Sequence, residues 1–205
     1  MIRIAVLVSG SGTNLQALID ADNPYGRIEL VVGSRTDIFA LERTKAAGIP
    51  TRVVSKKKYG NNFASKMLET LGKFNIDLVV LAGYLTILPP DIIRAYERRI
   101  LNIHPALLPS FGGMGFYGLK VHEAALARGV KVTGATVHIV NEIPDGGPIL
   151  AQKAVEVLPD DTPETLQRRV MEQAEWLLLP VAVRDYCNIM SKSNNYSNEV
   201  QSWRV

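Results

Sequence analysis

Residues 2–20 read IRIAVLVSGSGTNLQALID, and this stretch decides the predicted fold. Ile2–Val8 is almost wholly apolar, which is typical of a strand covered on both faces of a parallel sheet. A glycine-rich turn follows at residues 9–14, and residues 15–21 then have the character of a helix. A strand, a glycine turn and a helix in this order indicate the first unit of an α/β sheet.

The rest of the chain repeats this alternation of strands and helices. Further strands are predicted at residues 28–32, 51–54, 78–82, 100–103, 132–140 and 149–157, the last two in antiparallel or mixed pairing. Helices are predicted at residues 38–47, 61–74, 91–96 and 119–128, and from residue 162 towards 179. The pattern therefore predicts one open, Rossmann-like, doubly wound α/β domain over residues 1–190.

Three local signals set the predicted helix ends. Asp37 stands where it can cap the helix at 38–47, and Thr162 stands at a helix start followed by proline and glutamate. Pro180 is expected to kink or break the last helix, with a further helix to about residue 190. Residues 191–199 have no aliphatic side chain, so 191–205 is predicted to be a flexible polar tail, whose Trp203 either docks or stays disordered.

Composition excludes several classes of protein. The chain has 205 residues, 47% of them hydrophobic, a net charge of +3 and one cysteine, Cys187. These values suit a globular protein of a reducing cytoplasm, without an internal disulfide. The longest basic run is Lys56, Lys57 and Lys58, which is predicted to be a solvated loop rather than a nucleic-acid site. No apolar run approaches the roughly 20 residues of a membrane span, so no membrane contact is predicted.

The first glycine turn is a candidate anion site. Backbone N–H groups and the positive end of the following helix would face a guest in the loop. A phosphate on a mononucleotide-like substrate fits best. A dinucleotide is less suitable, because Leu15 stands where a third glycine is expected and no acidic residue ends the second strand. A structural turn without a ligand is the third interpretation.

Polar residues interrupt the predicted strand at 100–103. Asn102 and His104 stand two residues apart on an extended run, so both side chains leave the same face of the sheet. Asp145 lies in the loop NEIPDGGP after the next strand. Because ligands bind at the carboxyl ends of strands in open α/β sheets, we expect all three in one pocket.

These three residue types suit acyl or formyl transfer to an amine. The amide of Asn102 and a protonated His104 can stabilise an oxyanion, and Asp145 is expected to raise the pKa of His104. No serine or cysteine nucleophile accompanies them, so direct attack by the amine is expected. The alternatives are a hydrogen-bonded structural histidine and an ordinary turn at Asp145. The histidine spacings match no metal site, and no metal is predicted.

Two predicted loops each have two possible structural interpretations. Residues 83–90, GYLTILPP, either pack under the core or form the wall of a pocket for a flat ring. Residues 111–118, FGGMGFYG, form either a mobile loop near a ligand or an irregular connection packed by its own aromatic rings.

The motifs LNIHPALLPSF, at residues 101–111, and GATVHIVNEIPDGGPIL, at residues 134–150, resemble those of the folate-dependent formyltransferases. The turn SGSGTNLQALID narrows the resemblance to members that formylate a glycinamide ribonucleotide in purine biosynthesis. The resemblance covers about residues 1–185. It implies a seven-stranded, mostly parallel sheet with helices on both faces.

The resemblance also implies an activity and a set of residues. A formyl group would pass from 10-formyltetrahydrofolate, as co-substrate, to the amine of 5-phosphoribosylglycinamide. The catalytic residues would be Asn102, His104 and Asp145. The residues that bind the substrate would be Gly12, Thr13, Asn14, Pro105 and Glu175. Folate binding would involve Asn102 and Asp145 with Leu85, Thr86, Ile87, Leu88, Val140, Asn141, Glu142, Ile143 and Pro144.

The chain also departs from this family pattern. Members of the family often have arginine where Thr86 stands, and a basic residue near Asn62 is not matched. The region around Glu175 differs locally in length. The expected partners are the two small molecules, and the expected state is a monomer or homodimer. The alternative functions are a sugar-amine formyltransferase and a nucleotide-binding Rossmann module without transfer chemistry.

Overall fold

The computed structural model describes residues 1–192 of the chain. The strands are β1 Ile2–Val8, β2 Gly26–Gly33, β3 Thr51–Val53, β4 Leu78–Leu81, β5 Ile100–His104, β6 Val132–Ile139 and β7 Ile149–Glu156. The helices are α1 Thr13–Asp20, α2 Ala40–Ala46, α3 Lys56–Tyr59, α4 Phe63–Lys73, α5 Pro90–Ala95, α6 Leu119–Arg128, α7 Pro163–Val170 and α8 Trp176–Lys192. A 3₁₀ turn, Gly60–Asn62, precedes α4, and a π turn, Met171–Glu175, joins α7 to α8.

The seven strands form one sheet in the order β3-β2-β1-β4-β5-β6-β7. The first five strands in this order are parallel, and β6 and β7 run antiparallel to their neighbours. The predicted open, mostly parallel sheet is therefore confirmed. After β1 the chain adds β2 and β3 on one side of that strand, and it then adds β4 on the other side. The boundary between β1 and β4 is therefore the switch point, where open α/β sheets bind ligands.

Helices cover both faces of the sheet, and each face has its own core. In the first core, Val6 and Val8 of β1 pack with Leu15 of α1. In the second core, Leu7 of β1 packs with Phe63 of α4. Alternate residues of β1 thus enter opposite cores, which explains why the strand has no polar face. The first core lies under α1, α2, α6, α7 and α8, and the second lies under α4 and α5.

Two local predictions are wrong. Asp37 caps no helix: α2 begins at Ala40, and Asp37 instead pairs with Arg35 across 3.3 Å. The N–H of Ala40 donates to the carbonyl oxygen of Gly10, so a contact with the glycine turn sets where α2 starts. The predicted loop at residues 56–58 is the single helical turn α3, although its three lysines are exposed as expected.

Pro180 does not break the last helix. It lies inside α8, which runs to Lys192. The irregularity occurs earlier, in the π turn Met171–Glu175. A proline inside a helix needs room for its ring and leaves one carbonyl oxygen without its usual N–H partner. A π turn contains an extra residue and has a wider backbone. This π turn ends about one helical turn before Pro180.

The start of α7 agrees with the prediction, whereas the end of α8 does not. Thr162 caps α7 as predicted, in a reciprocal capping box with Thr165. Ser191 and Lys192 belong to α8, so the predicted tail begins too early. The remainder of that tail, including Trp203, lies outside the described residues. Over residues 1–192, no helix combines the length and the apolar character that crossing a membrane requires.

Phe63 provides a test of the second core. Its side chain is 2% exposed, so Phe63→Ala should lower the free energy of unfolding by about 3–5 kcal/mol in urea denaturation. The matched control is Phe39→Ala, because Phe39 is 60% exposed and should cost less than about 1 kcal/mol. Equal losses in the two variants would contradict this account of the core.

Candidate active site

One cavity of about 470 Å³ opens at the carboxyl ends of β1, β4 and β5. It lies at the switch point of the sheet, and both the glycine turn and the loop 140–145 contribute to it. Every predicted site residue lines this cavity: Gly12, Thr13, Asn14, Leu85, Thr86, Ile87, Leu88, Asn102, His104, Pro105, Val140, Asn141, Glu142, Ile143, Pro144, Asp145 and Glu175. Five chain segments that are far apart in sequence thus meet in one place.

The pairing of β5 with β6 positions the polar groups at the floor of the cavity. Asn102 lies directly opposite His138 in the antiparallel ladder, and Nδ2 of Asn102 is 3.0 Å from Nε2 of His138. Nδ1 of His138 is 3.1 Å from the carbonyl oxygen of Ile139, which can only accept, so Nδ1 carries the proton and Nε2 accepts from Asn102. The contact from Asn102 Nδ2 to Oδ1 of Asp145 is longer, 3.5 Å, which leaves that N–H free to turn to a ligand oxygen.

His104 faces an oxygen acceptor at each ring nitrogen. Its Nε2 is 2.8 Å from the carbonyl oxygen of Phe111, and its Nδ1 is 3.5 Å from Oδ2 of Asp145. Neutral imidazole has one N–H and can donate to only one of these oxygens. The imidazolium has two N–H groups and satisfies both. The surroundings of the ring are therefore arranged to accept a proton.

The free protein nevertheless keeps His104 neutral at pH 7. Its side chain is almost fully buried, and burial lowers the pKa of His104 more than Asp145 and the Phe111 carbonyl raise it. Our expectation that Asp145 leaves His104 charged is therefore wrong for the free protein. Asp145 raises the pKa of His104 as expected, but the loss of water around the ring lowers that pKa by more.

Asp145 remains ionised in spite of its own burial. Burial acts to raise the pKa of Asp145, but its contacts with the imidazole rings of His138 and His104 and with the N–H of Gly113 together lower it. The Gly113 N–H donates to Oδ2 across 2.9 Å. Asp145 and Phe111, both partners of His104, have φ values of 55° and 53°. A non-glycine residue in this left-handed region is strained, and such strain concentrates at functional sites.

The opposite end of the cavity is formed by the glycine turn and the π turn. Gly12 has φ 74° and directly precedes α1, and a Cβ there would lie 2.7 Å from Cβ of Ala40. Asn14 donates through Nδ2 to Oε2 of Glu175 across 3.0 Å, while its buried Oδ1 has no hydrogen-bond partner. Burial raises the pKa of Glu175, and the bond from Asn14 offsets part of that rise. This end therefore presents helix N–H groups, a free amide oxygen and a carboxyl group to a polar ligand.

Apolar side chains form the remaining walls. Leu85 is 60% exposed, Ile87 53% and Ile143 66%, although all three line the cavity. Exposed apolar side chains on facing walls suit a flat ring. Tyr84 and Leu88 fix the first wall in the second core, and the N–H of Leu85 donates to Oγ of Ser9.

A family model described as Formyl transferase matches residues 2–182. The chain belongs to the formyl transferase family. Three matches show how much of the chain this relationship covers. The chloroplastic phosphoribosylglycinamide formyltransferase of Arabidopsis thaliana is 42% identical over 185 residues, which are 87% of this chain and 63% of that protein. The phosphoribosylglycinamide formyltransferase of Haemophilus influenzae is 40% identical over 192 residues, which are 90% of this chain and 86% of that protein.

A solved structure has the same fold. The glycinamide ribonucleotide transformylase 1 of Symbiobacterium toebii superposes with a TM-score of 0.85 at 42% identity, covering 92% of this chain and 88% of that one. The formyl transferase fold thus accounts for the sheet and its helices.

Sequence reasoning missed several groups at this formyl transferase site. The sequence predicted no role for His138, yet its Nε2 lies 3.0 Å from the amide nitrogen of Asn102. Only the register between β5 and β6 shows that these residues are opposite each other. Gln167 of α7 also lines the cavity and carried no sequence signal. Within residues 1–192, no three histidine, cysteine or acidic side chains are grouped so as to hold a metal ion.

The third histidine gives a test by pH. His122 is 1% exposed, and burial together with the charge of His104 lowers its pKa from 6.5 to about 4. Between these values the unfolded chain binds a proton that the folded protein does not bind, so stability should fall as pH falls from 6.5 to 4. Over this interval, His122 should lower the free energy of unfolding by about 3 kcal/mol.

The measurement is urea denaturation at several pH values. His122→Gln should lose less stability than the parent protein over the same interval, while the contribution of His104 remains. Identical slopes in the two proteins would exclude a neutral buried His122.

Proposed function

We propose that this protein transfers a formyl group from 10-formyltetrahydrofolate to the amine of 5-phosphoribosylglycinamide, in purine biosynthesis. The observation that carries the proposal is a single cavity with an anion-binding turn at one end and Asn102, His104 and Asp145 at its floor. Apolar walls complete it. Relatives that are named for this reaction match most of the chain, which supports the same assignment.

The two ends of the cavity fit the two substrates. The N–H groups at the start of α1 suit a phosphate, and Asn14 with Glu175 can bind ribose hydroxyls, since they offer an unpaired acceptor and a carboxyl group. The slot between residues 85–88 and the loop 140–145 suits the flat folate ring. With both substrates bound, Pro105 lies between the ends, beside the reacting groups.

The side chains at the floor stabilise the transition state. The amine attacks the formyl carbon, and Asn102 donates through Nδ2 to the formyl oxygen as that oxygen becomes negative. His138 holds the amide in the donating orientation. Because donors that are already in place need no reorganisation during the reaction, positioning and oxyanion stabilisation supply most of the acceleration.

His104 and Asp145 handle the proton. The negative charge that develops on the formyl oxygen favours the imidazolium, so His104 takes up the proton that the attacking amine releases. The two acceptors around its ring then each receive an N–H. Asp145 stabilises this charged form. When the tetrahedral intermediate collapses, the bond between the formyl carbon and the folate nitrogen breaks, and His104 returns its proton through water to that nitrogen.

A sugar-amine formyltransferase is the alternative within the family. The phosphate turn with its link from Asn14 to Glu175 favours the glycinamide ribonucleotide, because an unphosphorylated sugar needs no anion site. A monomer or homodimer in the cytoplasm remains our expectation, and a single buried cysteine fits a reducing compartment.

A coupled assay tests the reaction itself. Purified protein is mixed with glycinamide ribonucleotide and 10-formyldideazafolate, and release of the deformylated folate is followed. We expect turnover that depends on both substrates. A signal no higher than that of His104→Ala would refute the proposed function, and tight NADP binding without folate binding would favour a nucleotide-binding module.

Asn102→Ala should lower kcat by about 10²–10³-fold, because one oxyanion donor is lost. Asp145→Ala should lower it by at least about 10²-fold, because His104 loses the group that stabilises its charge. Asn61→Ala, at an exposed asparagine, is the matched control and should stay near the parent value. Parent-like turnover in either site variant would remove the role assigned to that residue.

Glu175→Ala should raise KM for glycinamide ribonucleotide by about 10–100-fold with a smaller change in kcat, because it acts on binding rather than on the reacting atoms. Glu172→Ala is the matched control, since Glu172 is an exposed acid of the same π turn. The ribose assignment fails if both variants shift KM equally, or if the Glu175 variant changes only kcat.

A further inference from the structure

The phosphate end of the cavity has no positive side chain in its lining. Over residues 1–192, the residues that line the cavity include Glu142, Asp145 and Glu175 but neither lysine nor arginine. A phosphate at this end must therefore be bound by neutral donors, chiefly the backbone N–H groups of the glycine turn. Such a site binds more tightly if those N–H groups are held in fixed directions and if positive charge lies close behind them.

Helix α2 holds two consecutive peptide groups of the glycine turn from behind. The N–H of Ala40 donates to the carbonyl oxygen of Gly10 across 3.2 Å. About one helical turn further along α2, Nε of Arg43 donates to the carbonyl oxygen of Ser11 across 2.9 Å. The helix and the turn are in close contact, because a Cβ at Gly12 would lie 2.9 Å from Cα of Ala40 and 3.4 Å from Cδ of Arg43.

These two contacts orient the N–H groups of the turn, because the C=O and the N–H of a trans peptide point to opposite sides. The carbonyl of Gly10 faces α2, so the N–H of Ser11 faces away from α2. In the same way, the bond from Arg43 turns the N–H of Gly12 away from α2. Within residues 1–192, Ser11 and Gly12 line the cavity, no residue of α2 does, and neither N–H donates to a backbone oxygen. Both N–H groups are therefore available to a ligand.

Arg43 is held behind the turn by two further contacts. Its Nη1 donates to Oε1 of Gln16 across 3.1 Å. Gln16 is oriented in turn by the bond from its Nε2 to Oδ1 of Asp20, across 2.8 Å. The guanidinium also lies over the ring of Phe39, with 5.1 Å from Cζ to the ring centroid. The half-buried Arg43 side chain is thus fixed against the turn at several points.

The charge of Arg43 is not neutralised by an acid. The ion pairs among residues 1–192 do not include Arg43, and its two hydrogen-bond acceptors are neutral oxygens. Positive charge therefore lies behind the same peptide whose Gly12 N–H faces the cavity. Because hydrogen bonds in series polarise one another, the bond from Arg43 strengthens this N–H as a donor. A phosphate one peptide group away also lies within the roughly 10 Å over which 0.1 M salt leaves charges largely unscreened.

We infer that Arg43 is a positioning residue for the substrate phosphate: it fixes the Gly12 N–H towards the cavity and supplies the positive charge that the lining lacks. This inference rests on the proposed function, since it concerns the phosphate of glycinamide ribonucleotide. It also gives the site a preference for a phosphorylated amine, because an amine without phosphate gains nothing from Arg43. Loss of the guanidinium should raise Kd and KM for glycinamide ribonucleotide roughly tenfold, with little change in kcat or in KM for the folate.

The test uses Arg43→Met, which keeps much of the side-chain length but removes the charge and the donors. Calorimetric titration with glycinamide ribonucleotide, and separately with inorganic phosphate, should show a roughly tenfold loss of affinity for both. Glycinamide riboside, which lacks the phosphate, should bind the parent protein and the variant equally. Arg43→Lys should recover part of the loss, because it returns the charge without the paired donors of the guanidinium.

The matched control is Arg99→Met. Arg99 also donates to a carbonyl oxygen, that of Ala95, and lies over an aromatic ring, that of Tyr96. It directly precedes β5, at the amino end of the strand and thus at the edge of the sheet opposite the cavity. Its loss removes the same kinds of contact and should leave the affinity for glycinamide ribonucleotide and for inorganic phosphate at the parent value.

Three results would overturn the inference: parent-like affinity in Arg43→Met, an equal loss for glycinamide riboside, or an equal loss in Arg99→Met. If Arg43→Met does not fold, Arg43→Lys takes its place, and parent-like affinity in that variant overturns the inference. Phosphate binding that depends on Arg43 in a protein that forms no product would refute the proposed function and keep the inference. A protein that forms product with an unchanged KM in Arg43→Met would refute only the inference.

Discussion

The antiparallel pairing of β5 and β6 is the constraint on which this site depends. It places Asn102 directly opposite His138, and it ends β6 so that the next loop returns to the same floor with Asp145. Because side chains alternate along a strand, a slip of one residue would turn Asn102 and His104 to the other face of the sheet. One ladder of backbone hydrogen bonds thus holds the three candidate catalytic side chains and the residue that contacts the amide of Asn102.

Burial gives these side chains their chemical character. In water an aspartate would hold a neighbouring histidine in its charged form, but here the dehydration of His104 is the larger effect. The free protein therefore holds a neutral imidazole that has an acceptor at each nitrogen. Such a ring gains a proton readily once negative charge develops nearby. The strained φ values of Phe111 and Asp145 are the cost of placing both acceptors.

The two cores, one on each face of the sheet, support different ends of the cavity. Elements that pack on the first core bring the glycine turn and Glu175, which suit the phosphorylated amine. Elements that pack on the second core bring the apolar wall, which suits a flat ring. In the proposed reaction, the reacting groups meet at the switch point between the two. The same two-sided burial of β1 that makes its sequence apolar therefore also separates the two ends of the cavity.

The sequence by itself determined the alternation of strands and helices, the glycine turn, and the three residues Asn102, His104 and Asp145. These features have local signals: apolar periodicity, glycine at a tight turn, and polar residues where a strand ends. Only the tertiary structure decided the partner of Asn102, the start of α2, the continuous helix through Pro180 and the neutral state of His104. Each depends on residues far away in the chain: a strand register, a backbone contact with Gly10, a widened turn and the removal of water from a ring.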